Sequence, residues 1–258
     1  MAVISKVTFS RLEGVKRIDA EYYQPHFMNL MNVLEQSTYP KKPLFRLCSK
    51  IDVGFVGPMA HAYTEKGVPL LQIQNVKEFV LGYERLIFIQ EWFHNLLVKS
   101  QVFRGDILIA SSGSIGNAAI VLDRDPQPLN SSDIIIIRPI SINPIFLCTY
   151  LNCKFGQVQI ERLSIGGLQR HVNLGSLEKL KVPILSNDLT ARIEKQVLTG
   201  LDLFFKSSIS YSQAEQLLLA ELGLQDWKPT RALTFVRSYS QAAKERRVDA
   251  EYFYPKYQ

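Results

Sequence analysis

The 258-residue sequence has few cysteines and no long apolar run. Its three cysteines, Cys48, Cys148 and Cys153, form no zinc-binding spacing and are typical of reduced thiols in a protein core. No apolar stretch approaches the length of a membrane span, and the first residues lack the apolar segment of a secretory signal. These features predict a cytoplasmic protein that does not enter a membrane.

The sequence also lacks the signatures of catalysis and of metal binding. The run from Ser112 to Gly116 has neither the G-x-S-x-G order of a nucleophile elbow nor the Lys-Ser/Thr pair of a phosphate-binding loop. The tetrapeptide Asn143–Phe146 is similar to the N-P-P-[FY] motif of adenine methyltransferases, but Ile145 replaces its second proline and no glycine-rich cofactor turn precedes it. The four histidines show no ligand spacing. We therefore expect no catalytic residue, no metal and no cofactor.

Composition places the chain among ordinary globular proteins. Hydrophobic residues make up 47% and charged residues 21% of the sequence, and the length suits one large domain or two small ones. The net charge is +6, with a pI of about 9.1. A basic balance is compatible with a polyanionic partner but does not establish one.

The centre of the chain alternates short apolar runs with polar loops. Ile107–Ala110 and Ala118–Leu122, joined by a Gly/Ser loop, predict two strands, and Ile134–Ile137 predicts a third. Pro144–Leu163 has apolar residues near helical spacing. A polar loop, Ile165–Asn173, then leads to Leu174–Leu180 and a last strand, Lys181–Leu185.

The residues before this centre predict further helices and strands. Alternation over Val68–Val76 predicts one strand, with Leu71, Ile73 and Asn75 on one face and Gln72 and Gln74 on the other. The other predictions are a helix at His26–Gln36, a strand with a turn at Lys42–Ile51, a loop at Asp52–Gly67, a strand pair at Phe79–Gln90 and a short helix at Glu91–Lys99.

No proline interrupts the stretch from Asn187 to Leu222, which predicts a long helix with Asn187-Asp188 as its N-cap and Gly223 as its C-cap. Spacings of three and four residues between its apolar side chains suit a coiled-coil seam. Packing on its own domain is the alternative, but the apolar face is too long for that alone, so we favour a partner helix. The proposed seam contains Leu189, Ile193, Val197, Leu201, Phe204, Phe205, Tyr211, Ala214, Leu218 and Leu222.

The end of the sequence repeats its beginning. The segment RIDAEYYQP, residues 17–25, recurs as RVDAEYFYP, residues 247–255, and the match extends upstream without a gap. An internal repeat of this kind indicates that one structural unit is followed by the first residues of a second.

Three motifs in this order resemble those of type I restriction-modification specificity subunits. They are GDILIASSGSIGNAAIV, residues 105–121; the N-x-KFGQ-x-Q run, residues 152–159; and HVNLGSLEKLKVPI, residues 171–184. The resemblance implies an α+β fold: a mixed-sheet target-recognition domain followed by a long coiled-coil-forming α-helix. It divides the chain into an N-terminal conserved segment at 1–37, the recognition domain at 38–185, a spacer helix at 186–223, and a linker with the start of a second repeat at 224–258.

The resemblance also implies a function and partners. Such subunits are non-catalytic, bind double-stranded DNA, and direct adenine methyltransferase (M) and restriction/translocase (R) subunits to a bipartite site. This chain resembles one half of that plan, as a truncated subunit, a natural half-subunit or an expressed fragment. We hypothesise that two copies pair antiparallel through the long helix. The alternatives are a fragment of a DNA methyltransferase or nuclease with its own recognition domain, and a coiled-coil scaffold without sequence-specific binding.

Three polar segments have the chemistry to contact DNA, through phosphate-binding backbone amides and through side chains that match base edges. The alternatives are a tight turn for the first segment, a helix-capping loop with Asn173 as cap for the second, and a solvated face for the third. Weaker phosphate candidates are Tyr63, Lys66, Arg104 and Lys154. The candidates are Ser111, Ser112, Gly113, Ser114, Gly116 and Asn117 in the first segment, Gln169, Arg170, His171 and Asn173 in the second, and Gln72, Gln74, Asn75 and Lys77 in the third.

Overall fold

The computed structural model describes residues 4–9, 12, 17–113, 115–165, 171–226 and 234–254. Its internal contacts divide the chain into two units, Met1–Leu198 and Thr199–Gln258, which are described separately. Within the described residues, no helix is long and apolar enough to cross a membrane.

Helices and strands of the first unit are mixed along the chain, and its described residues also contain four short 3-10 turns. The helices are α1 (Pro25–Gln36), α2 (Glu91–Leu96), α3 (Pro144–Asn152), α4 (Lys154–Leu163) and α5 (Leu174–Leu177). The strands are β1 (Lys41–Pro43), β2 (Cys48–Val53), β3 (Tyr63–Thr64), β4 (Val68–Leu71), β5 (Ile87–Ile89), β6 (Gln101–Val102), β7 (Ile107–Ala110), β8 (Ala118–Ile120), β9 (Leu129–Ser131), β10 (Ile134–Pro139), β11 (Ser164–Ile165), β12 (His171–Val172) and β13 (Lys181–Pro183). Helix α6 (Asn187–Glu221) begins in this unit and continues into the second, which also contains α7 (Tyr239–Glu245).

An antiparallel sheet in the order β2-β10-β7-β8 forms the centre of the first unit. Strand β10 is apolar on both faces because both faces are covered. Ile135 and Ile137 belong to one core cluster, together with α3 and α4, whereas Ile134 and Ile136 belong to another. The continuous isoleucine run of the sequence therefore marks a strand that is covered on both faces.

A second sheet has the order β3-β5-β4-β9-β6, in which only β4 and β9 pair in parallel. It is therefore a mixed sheet. The remaining strands form two separate two-stranded sheets, β1-β13 and β11-β12. Together with the helices they make an α+β fold, and a long helix follows the sheets. The fold class predicted from the sequence is confirmed.

The amphipathic stretch from Pro144 to Leu163 forms two helices instead of one. The chain breaks at Cys153, whose backbone is extended (φ −72°, ψ 164°). A side chain on Gly156, in the first turn of α4, would overlap the carbonyl oxygen of Tyr150 in α3. The close approach of the two helix ends thus requires glycine at this position.

Two strand predictions were too long. The strand predicted at Val68–Val76 ends at Leu71, and a 3-10 turn follows at Ile73–Asn75. The turn forms because the Asn75 side chain accepts a hydrogen bond from the backbone N–H of Gln72 at 2.9 Å. Within Phe79–Gln90, only Ile87–Ile89 is a named strand; Phe79 has a positive φ of 66° and makes a single bridge to Ala119.

Helix α6 was predicted with nearly correct ends. The Ser186 hydroxyl, one residue before the predicted cap, accepts a hydrogen bond from the N–H of Leu189 at 3.3 Å. At the other end Gly223 has a φ of +66°, and Leu224 N–H donates to the Leu219 carbonyl at 2.8 Å. That bond across five residues is the Schellman arrangement, which satisfies a carbonyl of the last turn. At about 1.5 Å per residue the helix is roughly 50 Å long.

Candidate nucleic-acid interface

The three polar segments that the sequence nominates lie beside one another in the first unit. The Val172 N–H, in β12, donates to the Ser111 carbonyl at 3.3 Å, which joins the second segment to the first. A Cβ built on Gly113 would lie 4.0 Å from the Cγ2 of Ile73, in the turn that begins the third segment. The three segments are therefore neighbours although they are distant in sequence, and we call their described residues within 72–77, 111–117 and 171–173 the three-segment surface.

The 111–117 loop joins β7 to β8 and depends on two glycines. Gly113 and Gly116 have φ values of +67° and +88°, a region that favours glycine. Helix α4 supports the loop through Gln157, whose side-chain amide donates at 2.7 Å to the Gly116 carbonyl and at 2.7 Å to the Leu151 carbonyl. The Ser111 hydroxyl donates to the Asp133 carbonyl at 2.8 Å. The loop is thus held from two sides.

The N-x-KFGQ-x-Q motif is explained by the contacts of its amides. Asn152 pairs with Ala118 of β8, donating to its carbonyl at 2.7 Å and accepting from its N–H at 3.0 Å. Gln159 is buried and accepts from the N–H of Lys181 at 2.9 Å while donating to the Tyr150 hydroxyl at 2.8 Å. With Gln157, these side chains fix the loop, β8 and β13 relative to the helices.

The third segment begins in the turn closed by Asn75. That side chain is 1% exposed, accepts from Gln72 N–H and donates to the Gly82 carbonyl at 2.9 Å. Its amide therefore holds the turn and faces away from solvent. Gln74 and Lys77 are exposed, and the Gln74 amide donates to the Gln72 side chain at 3.3 Å.

The described part of the second segment begins in β12, which pairs antiparallel with β11. His171 and Asn173 are exposed. Asn173 occupies the cap position of α5, but its side chain makes no capping hydrogen bond. Gln169 and Arg170, as well as Ser114 of the first segment, lie outside the described residues.

Burial divides the described candidates into two groups. Ser111, Gly116 and Asn75 are buried and shape the surface from within, whereas the remainder reach solvent wholly or in part. The exposed group consists of Gln74, Lys77, Gly113, His171 and Asn173, and the half-buried group of Gln72, Ser112 and Asn117.

The weaker phosphate candidates differ in their surroundings. Tyr63, Lys66 and Lys154 are exposed, and Arg104 forms an exposed ion pair with Asp123 at 3.2 Å. Nowhere in the described ranges do three or more His, Cys, Asp or Glu side chains gather as metal ligands would.

Sequence reasoning missed the positioning residues of this surface. Phe79 N–H donates to the Ala118 carbonyl at 2.9 Å, and Ile120 N–H donates to the Phe79 carbonyl at 3.2 Å, so the turn after Lys77 is attached to β8. A positive φ at a phenylalanine has no sequence signal. The roles of Gln157 and Asn152 did have a sequence signal, because both residues belong to the N-x-KFGQ-x-Q motif.

Comparison with known protein families identifies the fold's family. The model for the type I restriction modification DNA specificity domain matches residues 58–213, well over half of the chain. The chain belongs to this family. A search of curated protein sequences gives no match. The matched range contains all three segments of the surface and most of α6.

Solved structures resemble the chain at low sequence identity. The S subunit of the type I restriction-modification system of M. genitalium is 15% identical, with a TM-score of 0.50 over 72% of this chain and 45% of that one. The type IIG restriction endonuclease BpuSI is 12% identical, with a TM-score of 0.53 over 75% of this chain and 30% of that one. The HsdS subunit of Thermoanaerobacter tengcongensis is 16% identical, with a TM-score of 0.46 over 83% and 53%. The chain spans about half the length of the S subunits it matches.

The seam predicted on α6 changes character along the helix. Ile193 and Val197 pack against the core of the first unit. In the second unit, large apolar side chains of the helix are exposed, and none of the described residues of α6 is fully buried. Of the predicted seam, Leu189, Leu201 and Phe205 are half-buried, whereas Phe204, Tyr211, Leu218 and Leu222 are 56–73% exposed.

Proposed function

We propose that this chain is a non-catalytic DNA sequence-recognition subunit that reads one half of a bipartite site with the three-segment surface. The single observation that carries the proposal is the convergence of the three polar segments in a member of a DNA specificity family. Sequence readers combine phosphate contacts, which position the protein, with side chains that match base edges.

The chemistry of the exposed candidates suits this division. Amides such as those of Gln74 and Asn173 are able to bond both N6 and N7 of adenine, and Arg170 is able to bond O6 and N7 of guanine. Lys77 and the backbone amides around Gly113 supply phosphate donors. Gln169 and Arg170 precede His171 in the chain, so they extend the second segment. Asn75, which is buried, is assigned a positioning role only.

The proposed partners follow from the family and from α6. Adenine methyltransferase subunits would dock on the chain, and a restriction/translocase subunit would join them in the full complex. One recognition domain reads half a target, so a second is needed. We propose that two chains pair antiparallel through the exposed apolar side chains of α6, since exposed apolar side chains at helical spacing favour a second helix.

Selection from a random duplex pool tests the recognition proposal. The chain, with its methyltransferase partner, is expected to enrich a short sequence motif. Gln169→Ala combined with Arg170→Ala is expected to lose that enrichment at one or two positions, because each lost bidentate contact removes about 1–3 kcal/mol of discrimination. The control combines Gln36→Ala with Arg46→Ala, which are the same residue types at exposed positions outside the three-segment surface. An unchanged motif in the first variant would refute the assignment.

A further inference from the structure

The segment at residues 17–25 folds into a small element that is closed by an ion pair. Arg17 Nε lies 2.7 Å from Asp19 Oδ2, and the Tyr22 N–H donates to Asp19 Oδ1 at 3.1 Å. The Arg17 guanidinium also lies over the Tyr22 ring, 4.6 Å from its centroid. We call these residues the N-terminal element.

The repeat of this segment in the second unit makes the same three contacts among its own residues. Arg247 Nε lies 2.7 Å from Asp249 Oδ2, and the Tyr252 N–H donates to Asp249 Oδ1 at 3.0 Å. The Arg247 guanidinium lies 4.4 Å from the centroid of the Tyr252 ring. The local structure is therefore encoded within the segment itself. Contacts that the N-terminal element makes with α4 are additional, and they attach the element to the first unit.

Arg162, in the last turn of α4, makes this attachment. Its guanidinium lies 3.9 Å from the Tyr22 centroid, and its Nε donates to the Tyr22 carbonyl at 3.0 Å. The Arg17 guanidinium in turn donates to the Arg162 carbonyl at 3.4 Å. Tyr22 is only 5% exposed, and a contact between a cation and a ring is stronger where water is excluded. The end of α4 is thus held both by its side chain and by its backbone.

The chain passes directly from this attachment to the second segment of the three-segment surface. Strand β11 begins at Ser164, with a single residue between it and Arg162. Ser164 pairs with Val172 of β12, and both residues are 8% exposed. The Val172 N–H then donates to the Ser111 carbonyl at 3.3 Å. The position of β12 therefore depends on where α4 ends.

We propose that Tyr22 and Arg162 are positioning residues that set the base selectivity of the second segment. They act through β12 and not by touching DNA. His171 and Asn173, the exposed candidates on either side of Val172, are placed by β12. Side chains that discriminate between bases must be held close to one geometry, so a loosened strand loses discrimination before it loses general affinity. This inference deepens the proposed function and rests on it.

The other two segments have supports of their own, which makes the expected effect local. The Gly116 carbonyl accepts from the Gln157 side chain at 2.7 Å, and the Ser111 hydroxyl donates to the Asp133 carbonyl at 2.8 Å. The turn of the third segment is closed by the Asn75 side chain. Loss of the Tyr22 contacts leaves these bonds in place.

Selection from a random duplex pool, with the 258-residue chain and the methyltransferase subunit proposed as its partner, tests the inference. The positions read by the second segment are those that change when Gln169→Ala is combined with Arg170→Ala. Tyr22→Leu removes the ring and is expected to lower base preference at those positions about ten-fold, the lower end of what one base contact contributes. Preference at the other positions should change less than two-fold. Tyr22→Phe keeps the ring and should retain the wild-type motif.

A second variant and a second readout keep the test independent of one substitution. Arg162→Gln leaves the Tyr22 ring in place and is expected to give the same local loss. Tyr252→Leu, the matched substitution in the repeat, should retain the wild-type motif. Hydrogen exchange followed by mass spectrometry should show faster exchange in the peptide that contains Val172 of the Tyr22→Leu chain, with unchanged protection in β10.

The outcomes separate this inference from the proposed function. A wild-type motif that stays unchanged in Tyr22→Leu and Arg162→Gln, or that weakens equally at all positions, overturns the positioning role and leaves the proposed function intact. An equal loss in Tyr22→Phe and Tyr22→Leu also overturns that role, because the ring contacts would then not be the cause. A wild-type chain that enriches no motif overturns the proposed function and the selectivity role together. Exchange that rises equally in β10 and β12 overturns the positioning of β12 in either case.

Discussion

Gln157 offers the sharpest test of how the fold positions the 111–117 loop, which we propose contacts DNA. Its side-chain amide donates at 2.7 Å to two carbonyls, those of Gly116 and Leu151, so it links the loop to α3 from the first turns of α4. Gln157→Ala removes both bonds and leaves two carbonyls to find other donors. At about 0.5–1.5 kcal/mol for each net hydrogen bond, we expect the free energy of unfolding to fall by about 1–3 kcal/mol.

The functional consequence of Gln157→Ala should be selective. A loosened loop pays a larger ordering cost on binding its target, whereas non-specific phosphate attraction depends on charges that the substitution leaves unchanged. Fluorescence anisotropy at fixed salt, with the selected duplex and a scrambled duplex, measures the two affinities, and urea unfolding measures stability. We expect affinity for the selected duplex to fall about ten-fold and that for the scrambled duplex to stay within two-fold. Equal losses on both duplexes, or a stability loss without any binding change, would refute the reasoning; Gln36→Ala is the control.

Three further predictions concern the fold that supports the surface. Asp106→Ala should lower the free energy of unfolding by about 3 kcal/mol in a urea titration, because Asp106 is 1% exposed, makes a two-bond ion pair with Arg138 and accepts from Phe103 N–H. The control Asp123→Ala, in the exposed pair with Arg104, should change that free energy by less than about 1 kcal/mol, and similar losses in the two variants would contradict this account. Burial lowers the pKa of His94, which contacts Asn130 at 3.1 Å, so its contribution to stability should be present above the unfolded pKa of about 6.5 and lost as the pH falls below that value. In a pH series of thermal unfolding, the fall of the melting temperature with decreasing pH should be smaller in His94→Gln, and an unchanged fall would rule His94 out as its cause. Gly156→Ala should separate α3 from α4 and lower the melting temperature measured by calorimetry. Gly200→Ala, where a Cβ meets nothing within 4 Å, should preserve or raise the melting temperature. Equal effects of the two substitutions would mean that the close approach of the helices is not required.

Strong local patterns predicted much of this fold. The isoleucine run at Ile134–Ile137 marked a strand enclosed on both faces, and the proline-free stretch ending at Gly223 marked α6 almost to the residue. Both signals are strong within a single short segment: one is a continuous apolar run, and the other is helical periodicity that ends at a glycine cap.

Features that depend on tertiary contact were not predicted. The strand expected to run to Val76 stops at Leu71 because the Asn75 side chain competes for a backbone N–H, and alternation alone cannot reveal that competition. The break at Cys153 likewise depends on two helix ends meeting over Gly156. Sequence patterns describe one segment at a time, whereas each of these two features depends on contacts between separate groups of the chain.

The candidate site shows the same division. Residue chemistry nominated three segments, and their adjacency follows from pairings of distant residues, such as Ser111 with Val172, that composition cannot indicate. Alternation placed Gln74 and Asn75 on opposite faces of the predicted strand, but residue chemistry nominated both for DNA contact, although Gln74 is exposed and Asn75 is buried. Which side chains touch bases stays a prediction.

Methylation mapping tests the central claim most directly. The chain is expressed with the methyltransferase subunit proposed as its partner in cells that lack other adenine methylation, and methylated adenines are located by single-molecule sequencing. A twofold-symmetric two-part target is predicted, since two copies of one recognition domain would read the same half-site in opposite orientations. Methylation that depends on this chain but lies at an asymmetric site would contradict the pairing. Methylation without any sequence dependence on this chain would contradict its role as a DNA reader.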